Sequence, residues 1–116
     1  MSELKSDAVF ERIQEGVKTN EQKAKSINGV FLYKITQNGA VVKEWVLDLR
    51  NGKVYVGPPK DIKVDTTLTV SDEDMIEIAT GKLNPQAAFM KGKLKITGNI
   101  MLTQKLVPLL KAEAKL

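Results

Sequence analysis

Apolar residues near the start of the chain recur at the spacing of one helix face. Val9, Phe10, Ile13 and Val17 fall on that face, and mostly charged or polar side chains occupy the other. This pattern predicts one amphipathic helix from Ser6 to about Lys25, with fraying of its end expected at Asn20.

The middle third of the chain changes to a two-residue period, which is typical of strands with one buried face. Alternating apolar residues predict strands over 31–37, 45–50 and 54–56. Asn38-Gly39 and Asn51-Gly52 separate them, and Asn-Gly is a strong signal for a β-hairpin turn. We therefore expect a three-stranded antiparallel meander with one apolar face. Asp48, on its polar face, is expected to be solvated or paired with a lysine.

Alternation resumes after a proline-containing loop. It predicts a fourth strand from Val64 to Val70, and Ser71-Asp72-Glu73-Asp74 then has the composition of a capping box at a helix start. Gly81 ends that helix, and Asn84-Pro85 places a cap and a proline at the start of a short helix that runs to Met90.

Residues 93–97 alternate again and predict a fifth strand. A last amphipathic segment covers 100–107, where Pro108 kinks or ends it. We expect a single α+β domain over 1–116, with a five-stranded, mainly antiparallel sheet. Helices should cover its apolar face and leave the lysine-rich face in water.

The 116-residue chain carries 18 basic and 14 acidic residues, for a net charge of +4. All the basic residues except Arg12 and Arg50 are lysines, and aromatic residues make up only 5%. Base readout favours arginine, and single-strand binding needs aromatic stacking, so nucleic acid is not an expected partner. Scattered lysines instead favour transient contact with anionic membrane surfaces.

The chain has no Cys and no His. Thiolate chemistry, Ser-His nucleophile pairs and the usual zinc ligands are thereby excluded. The acidic run at 72–74 lacks the spacing of a calcium loop and fits a helix start. We expect no enzyme activity, no cofactor and no metal.

Three longer segments resemble the sterol carrier protein 2 family. They are residues 45–52 (WVLDLRNG), 67–74 (TLTVSDED) and 80–99 (TGKLNPQAAFMKGKLKITGN). The resemblance implies an apolar tunnel between the sheet and its helices. It also implies non-specific binding and transfer of fatty acids, fatty acyl-CoAs, sterols and phospholipids.

We expect apolar side chains from the strands, the later helices and the last segment to line this tunnel. They are Phe31, Tyr33, Ile35, Trp45, Leu47, Leu49, Met75, Ile78, Ala79, Leu83, Phe89, Met90, Leu102, Leu106 and Leu109, with Gln104 as a polar partner for a head group. Met101, Thr103 and Gln104 depart from the small or apolar residues common in the family. Met101 would reduce the tunnel volume if it points inward. Pro108 weakens hydrogen bonding in the last segment, which makes that segment a candidate gate.

The last three residues resemble a targeting signal. Ala114, Lys115 and Leu116 are similar to the Ser-Lys-Leu peroxisomal signal, so we expect a flexible tail over 111–116 that binds the peroxisomal import receptor. Met1 precedes the first helix closely, which favours a free protein. We expect it in the peroxisomal matrix, with the cytoplasm as a second location. Two alternative functions are a module that presents acyl substrates to peroxisomal β-oxidation enzymes and a weak acyl-CoA thioesterase.

Overall fold

A computed structural model describes residues 4–105. The elements are α1 (Asp7–Thr19), α2 (Glu21–Ile27), β1 (Val30–Gln37), β2 (Ala40–Asp48), β3 (Lys53–Val56), β4 (Thr66–Ser71), α3 (Asp72–Ala79), α4 (Pro85–Met90) and β5 (Leu94–Gly98). Residues 100–105 are helical as well and are called the terminal helix below. The strands form one sheet in the order β3-β2-β1-β4-β5, and only the β1–β4 pair is parallel. The predicted α+β class and the mainly antiparallel sheet are confirmed.

The prediction of one continuous N-terminal helix was wrong, because the chain leaves helical geometry at Asn20. This residue has φ −118° and ψ 53°, follows α1 and stands at the N-cap position of α2. Its N–H still donates to the carbonyl of Gly16, and its carbonyl accepts from Ala24 N–H. Asparagine favours helix ends because its short amide competes with main-chain hydrogen bonds.

The two predicted Asn-Gly turns have different outcomes. Asn38 and Gly39 both have positive φ, 53° and 82°, which is the geometry of a tight hairpin between β1 and β2. The second connection is longer, since four turn residues, 49–52, separate β2 from β3.

Asp48 organises this longer turn. Its carboxylate accepts hydrogen bonds from the backbone N–H and the side-chain amide of Asn51, at 3.2 and 2.8 Å. The residue is only 3% exposed, so the prediction of a solvated or lysine-paired Asp48 was wrong. Alternation in the sequence predicted the face of the strand on which Asp48 lies. It did not predict that the following turn folds back onto this side chain.

The fourth strand pairs parallel to the first, with Phe31 opposite Thr66 and Ile35 opposite Val70. The chain must therefore cross from β3 at one edge to β4 on the far side of β1. Ile62 and Val64 of this crossover pack against a second apolar cluster formed by Val30, Leu32 and Val46, with Tyr55. The expectation that this face lies in water was thus wrong for the part beneath the crossover.

The main core lies on the opposite face, where the helices pack. Phe10 of α1 stacks on Trp45 with ring centroids 5.0 Å apart and meets Tyr33 edge-on at 5.2 Å. Lys43 forms an ion pair with Asp7 at 2.7 Å and lies 5.1 Å from the Trp45 ring centroid. These contacts hold α1 against β1 and β2. Within residues 4–105, no helix is both long and apolar enough to cross a bilayer.

Candidate functional site

The short helix α4 is held by its cap and by one core residue. Asn84 Oδ1 accepts from Gln86 N–H at 2.8 Å, and Pro85 occupies the first helical turn, as the sequence predicted. Ala88 is completely buried, whereas the next residue, Phe89, is 43% exposed. The helix therefore packs through a small residue and leaves the Phe89 ring partly exposed.

Strand β5 forms the floor beside α4. Leu94 is buried and Ile96 packs against the main core, so both face the helices, and Lys95 between them is exposed. At the end of the strand Gly98 has φ +96°, and a Cβ there would collide with the carbonyl oxygen of Asp65. This position therefore requires glycine, since any side chain would separate β5 from β4.

Asn99 fixes the start of the terminal helix on this floor. Its side-chain Oδ1 accepts from the N–H groups of Met101 and Leu102, at 3.1 and 3.4 Å. Its backbone N–H donates to Asp65 O at 3.0 Å, and its carbonyl accepts from Thr66 Oγ1 at 2.8 Å. The helix is thus capped by a residue that is itself bound to the chain at the start of β4.

A cleft of about 450 Å³ lies between α4, β5 and the terminal helix and is partly open to solvent. Its lining consists of Asn84, Pro85, Gln86, Phe89, Leu94, Ile96, Ile100, Thr103 and Gln104. Five of these side chains are apolar, and the other four supply amide or hydroxyl groups. Small-molecule sites have about this size (roughly 300–1,000 Å³) and this mixture of an apolar wall with few polar groups.

Thr103 is the most buried polar residue of the cleft, at 7% exposure. Its Oγ1 atom has no hydrogen-bond partner among residues 4–105. A buried hydroxyl without a partner is unfavourable, so it is a group that a polar ligand atom in the cleft would satisfy. Gln104 follows it, is exposed, and also lines the cleft.

Most of the predicted tunnel residues lie in the main core between the sheet and the helices. Phe31, Tyr33, Ile35, Trp45, Leu47, Leu49, Met75, Ile78 and Ala79 are all buried there, and Leu83 and Leu102 pack against them partly buried. Burial raises the pKa of the Tyr33 hydroxyl well above its ordinary value, so it stays neutral in this apolar setting. That these core residues line a tunnel stays a prediction.

The remaining predicted residues divide between the cleft, the surface and the undescribed part of the chain. Phe89 and Gln104 line the cleft, whereas Met90 is 80% exposed and not part of the lining. Met101, considered as an obstruction if it pointed inward, is 72% exposed. Two predicted lining residues, Leu106 and Leu109, and the tail 111–116 with its targeting residues Ala114, Lys115 and Leu116 lie outside the described residues.

Sequence reasoning missed most of the cleft lining, although one signal was present. Ile100, Thr103 and Gln104 have the i, i+3, i+4 spacing of one helix face, which would have placed Ile100 and Thr103 with Gln104. Leu94 and Ile96 were predicted only as apolar residues of the alternating fifth strand, 93–97. Within residues 4–105, no three acidic side chains lie close enough together to hold a metal ion.

Comparison with protein families gives one match over most of the chain. The model described as the SCP-2 sterol transfer family matches residues 10–111. Peroxisomal multifunctional enzyme type 2 of Mus musculus is 46% identical over 117 aligned positions, which cover 98% of this chain and 16% of that enzyme. Sterol carrier protein 2 of Oryctolagus cuniculus is 44% identical over 105 positions, which cover 89% of this chain and 19% of that protein. The chain thus spans less than a fifth of the length of these relatives.

Solved structures show the same fold. The solution structure of sterol carrier protein 2 from Aedes aegypti, in complex with the C16 fatty acid palmitate, superposes with a TM-score of 0.79. It is 33% identical in sequence, and the superposition covers 97% of this chain and 99% of that one.

Proposed function

Because the chain belongs to the SCP-2 sterol transfer family, we propose that it binds fatty acids and related acyl lipids and carries them between membranes. The observation that carries this proposal is the palmitate complex of the Aedes aegypti relative, whose fold this chain shares over nearly its whole length. The cleft beside α4 supports it, because its wall is mainly apolar and it is open enough to solvent for a long ligand to enter.

The polar groups of the cleft match one end of such a ligand. Thr103 Oγ1 and the Gln104 amide are placed to hydrogen-bond a carboxylate or ester oxygen, and Phe89 and Ile100 contact the adjoining methylenes. The acyl chain then extends towards Leu83, Leu102 and the predicted tunnel residues of the main core, which separate to admit it. Apolar walls with few fixed polar groups explain loose specificity among fatty acids, fatty acyl-CoAs, sterols and phospholipids.

The energetics of transfer require an apolar site of this kind. Each methylene removed from water contributes about 0.8 kcal/mol, so a 16-carbon chain has a gross transfer term of roughly 12 kcal/mol. A membrane offers the acyl chain nearly the same free energy of transfer from water. A carrier must therefore provide a comparable apolar environment, or the lipid stays in the bilayer.

Calorimetric titration of the purified, delipidated chain with palmitate tests the proposal. We expect saturable binding that Ile100→Asp weakens at least about tenfold, because a carboxylate then replaces apolar wall next to the ligand carboxylate. Val41→Asp is the matched control, since Val41 has nearly the same exposure as Ile100 (49% against 48%) on the β1–β2 hairpin. Absence of saturable binding, or equal affinity of Ile100→Asp and wild type, would contradict the proposal.

The names of the relatives support a peroxisomal location, which we propose for this chain as well. The chain tagged at its N-terminus should then co-localise with a peroxisomal matrix marker and bind the import receptor. A diffuse cytoplasmic signal would contradict the location without affecting lipid binding.

A second candidate function follows from the multifunctional enzyme among the relatives. Joined to or bound by β-oxidation enzymes, this fold would present acyl-CoA to their active sites. Stimulation of such an enzyme by the chain, without vesicle-to-vesicle lipid transfer, would favour this role. Steady CoA release from acyl-CoA by the pure chain would instead show thioesterase activity, for which residues 4–105 contain no histidine or cysteine nucleophile.

A further inference from the structure

The positive charge of the protein is concentrated in one segment. Residues 78–105 contain five lysines and no acidic residue, whereas the other 88 positions carry 13 basic and 14 acidic side chains. The five are Lys82, Lys91, Lys93, Lys95 and Lys105, and all are exposed. The net charge of +4 therefore originates in the part of the chain that builds the cleft.

Exposed apolar side chains are concentrated in the same segment. Among residues 4–105, seven large apolar side chains are strongly exposed, and four of them are Phe89, Met90, Ile100 and Met101. Met90 and Met101 are the most exposed, at 80% and 72%. Methionine is flexible and apolar, and such residues beside lysines are typical of surfaces that insert shallowly into lipid.

Two of these apolar residues belong to the cleft lining, and the other two are their neighbours in the chain. Phe89 and Ile100 line the cleft and are also about half exposed, and Met90 and Met101 follow them directly in α4 and the terminal helix. Because Phe89 and Ile100 belong both to the lining and to the exposed surface, a ligand that leaves past them contacts apolar side chains before it reaches water.

The lysines of this segment differ in their position relative to the cleft. Lys91 follows α4 and Lys105 follows the cleft residue Gln104, so both lie beside the cleft elements. Lys95 projects from the opposite face of β5 to Leu94 and Ile96, and so adds to the long-range field rather than to direct contact. Asp65 lies close to this region, because its backbone carbonyl accepts a hydrogen bond from Asn99 N–H. Its carboxylate forms an ion pair with Arg50 at 3.2 Å.

We propose that the exposed face of α4 and the terminal helix, formed by Phe89, Met90, Ile100 and Met101 with Lys91 and Lys105, is the surface that docks on anionic membranes. Lysines attract the anionic head groups, the methionines enter the interface, and the open side of the cleft then meets the bilayer. This inference rests on the proposed transfer function, for which it names the membrane contact and the route of the lipid.

Vesicle co-sedimentation of the full chain tests the charged part of the surface. Wild type should bind vesicles of phosphatidylcholine with phosphatidylserine more strongly than vesicles of phosphatidylcholine alone, and added salt should weaken the difference. The variant Lys91→Glu with Lys105→Glu should bind the anionic vesicles at least about tenfold more weakly. Lys23→Glu with Lys60→Glu makes the same charge change on α2 and the crossover, and should lose far less.

The apolar part has its own pair of variants. Met101→Asp should lower the partition coefficient about tenfold, because a charge replaces a side chain that enters the interface. Val42→Asp is the control, since Val42 is 49% exposed on the β1–β2 hairpin and away from the cleft lining. Equal losses for the two variants, or for the two charge pairs, would overturn the proposal.

Two further measurements separate the possible failures. Palmitate binding in solution by wild type and by Met101→Asp should be saturable and within about threefold of each other, because Met101 does not line the cleft. Saturable binding with uniform vesicle results across the variants would overturn the docking surface and leave lipid binding intact. Sedimentation velocity showing a dimer that Met101→Asp disrupts, with no change in vesicle binding, would assign the surface to a second copy and also overturn the proposal.

Discussion

At the scale of single residues, the ligand role proposed for Thr103 connects the stability of the unliganded protein with its affinity for palmitate. We predict that Thr103→Val raises the free energy of unfolding by about 1 kcal/mol, because it removes a buried hydroxyl that lacks a partner within residues 4–105. The same variant should weaken palmitate binding about threefold to tenfold, since one hydrogen bond to the ligand is lost. Chemical denaturation and calorimetry measure the two effects.

Thr97→Val is the control for this prediction, because Thr97 is exposed on β5 outside the cleft lining. It should change neither quantity by more than about 0.5 kcal/mol. A Thr103→Val protein that is less stable than wild type would show that the hydroxyl has a partner, and would remove it as a ligand group.

Two glycines with positive φ differ in what surrounds them, which gives a second prediction. Gly98→Ala should cost about 3 kcal/mol or more, because the new Cβ meets the Asp65 carbonyl in addition to the unfavourable backbone angle. Gly92→Ala has the same kind of angle, φ +76°, but open space around it, and should cost only about 1–2 kcal/mol. Similar losses in denaturant unfolding would contradict the close approach at Gly98.

At the scale of elements, the position of the terminal helix depends on the cap that Asn99 provides. Asn99→Ala should destabilise the protein by about 1 kcal/mol and weaken palmitate binding, because the helix that carries Ile100 and Thr103 then frays from its start. Asn99→Ser keeps an acceptor at the cap and should restore most of both. Circular dichroism melting and ligand titration test this, and failure of serine to restore binding would assign Asn99 a role other than capping.

The elements show how far sequence patterns reach. Periodicity predicted all five strands, because Phe31, Tyr33 and Ile35 must alternate to bury one face of β1, and the caps at Ser71 and Asn84 follow from local hydrogen bonding. Fraying was expected at Asn20, but the start of a second helix there was missed, because the neighbouring residues continue a helical pattern on both sides. The parallel pairing of β1 with β4 was also missed, since it depends on long-range contacts of Ile62 and Val64 that no local pattern encodes.

The candidate site was less predictable than the fold for a related reason. Periodicity shows which residues of β5 face the helices, but not that the helical layer leaves a gap beside α4. The predicted tunnel residues in the core were chosen by their apolar character, which a tightly packed core and a ligand site share. Thr103 stood out in the sequence only as a departure from the family, and its missing partner is visible only in three dimensions.

At the scale of the whole molecule, burial of Tyr33 in the main core makes the free energy of unfolding fall as the pH becomes alkaline. Burial raises the pKa of this hydroxyl above that of tyrosine in the unfolded chain, about 10. The unfolded state therefore releases the proton first, and stability that is complete below about pH 10 falls as the pH rises further, by up to about 1.4 kcal/mol per pH unit.

Tyr33→Phe should remove this contribution. Urea unfolding at about pH 8 and about pH 11 should show a smaller loss of stability for the variant than for wild type, since both share all other titrating groups. Parallel pH profiles of the two proteins would contradict the burial of an ionisable hydroxyl at this position.

Binding of an acyl chain beside α4 is the central claim, and amide NMR titration with palmitate tests it most directly. Chemical shift changes should saturate and concentrate at Phe89, Leu94, Ile96, Ile100 and Thr103, with smaller effects in the adjoining core and none at the β1–β2 hairpin. Absence of saturable changes, or changes confined to the opposite sheet face around Val30, Leu32 and Val46, would contradict it.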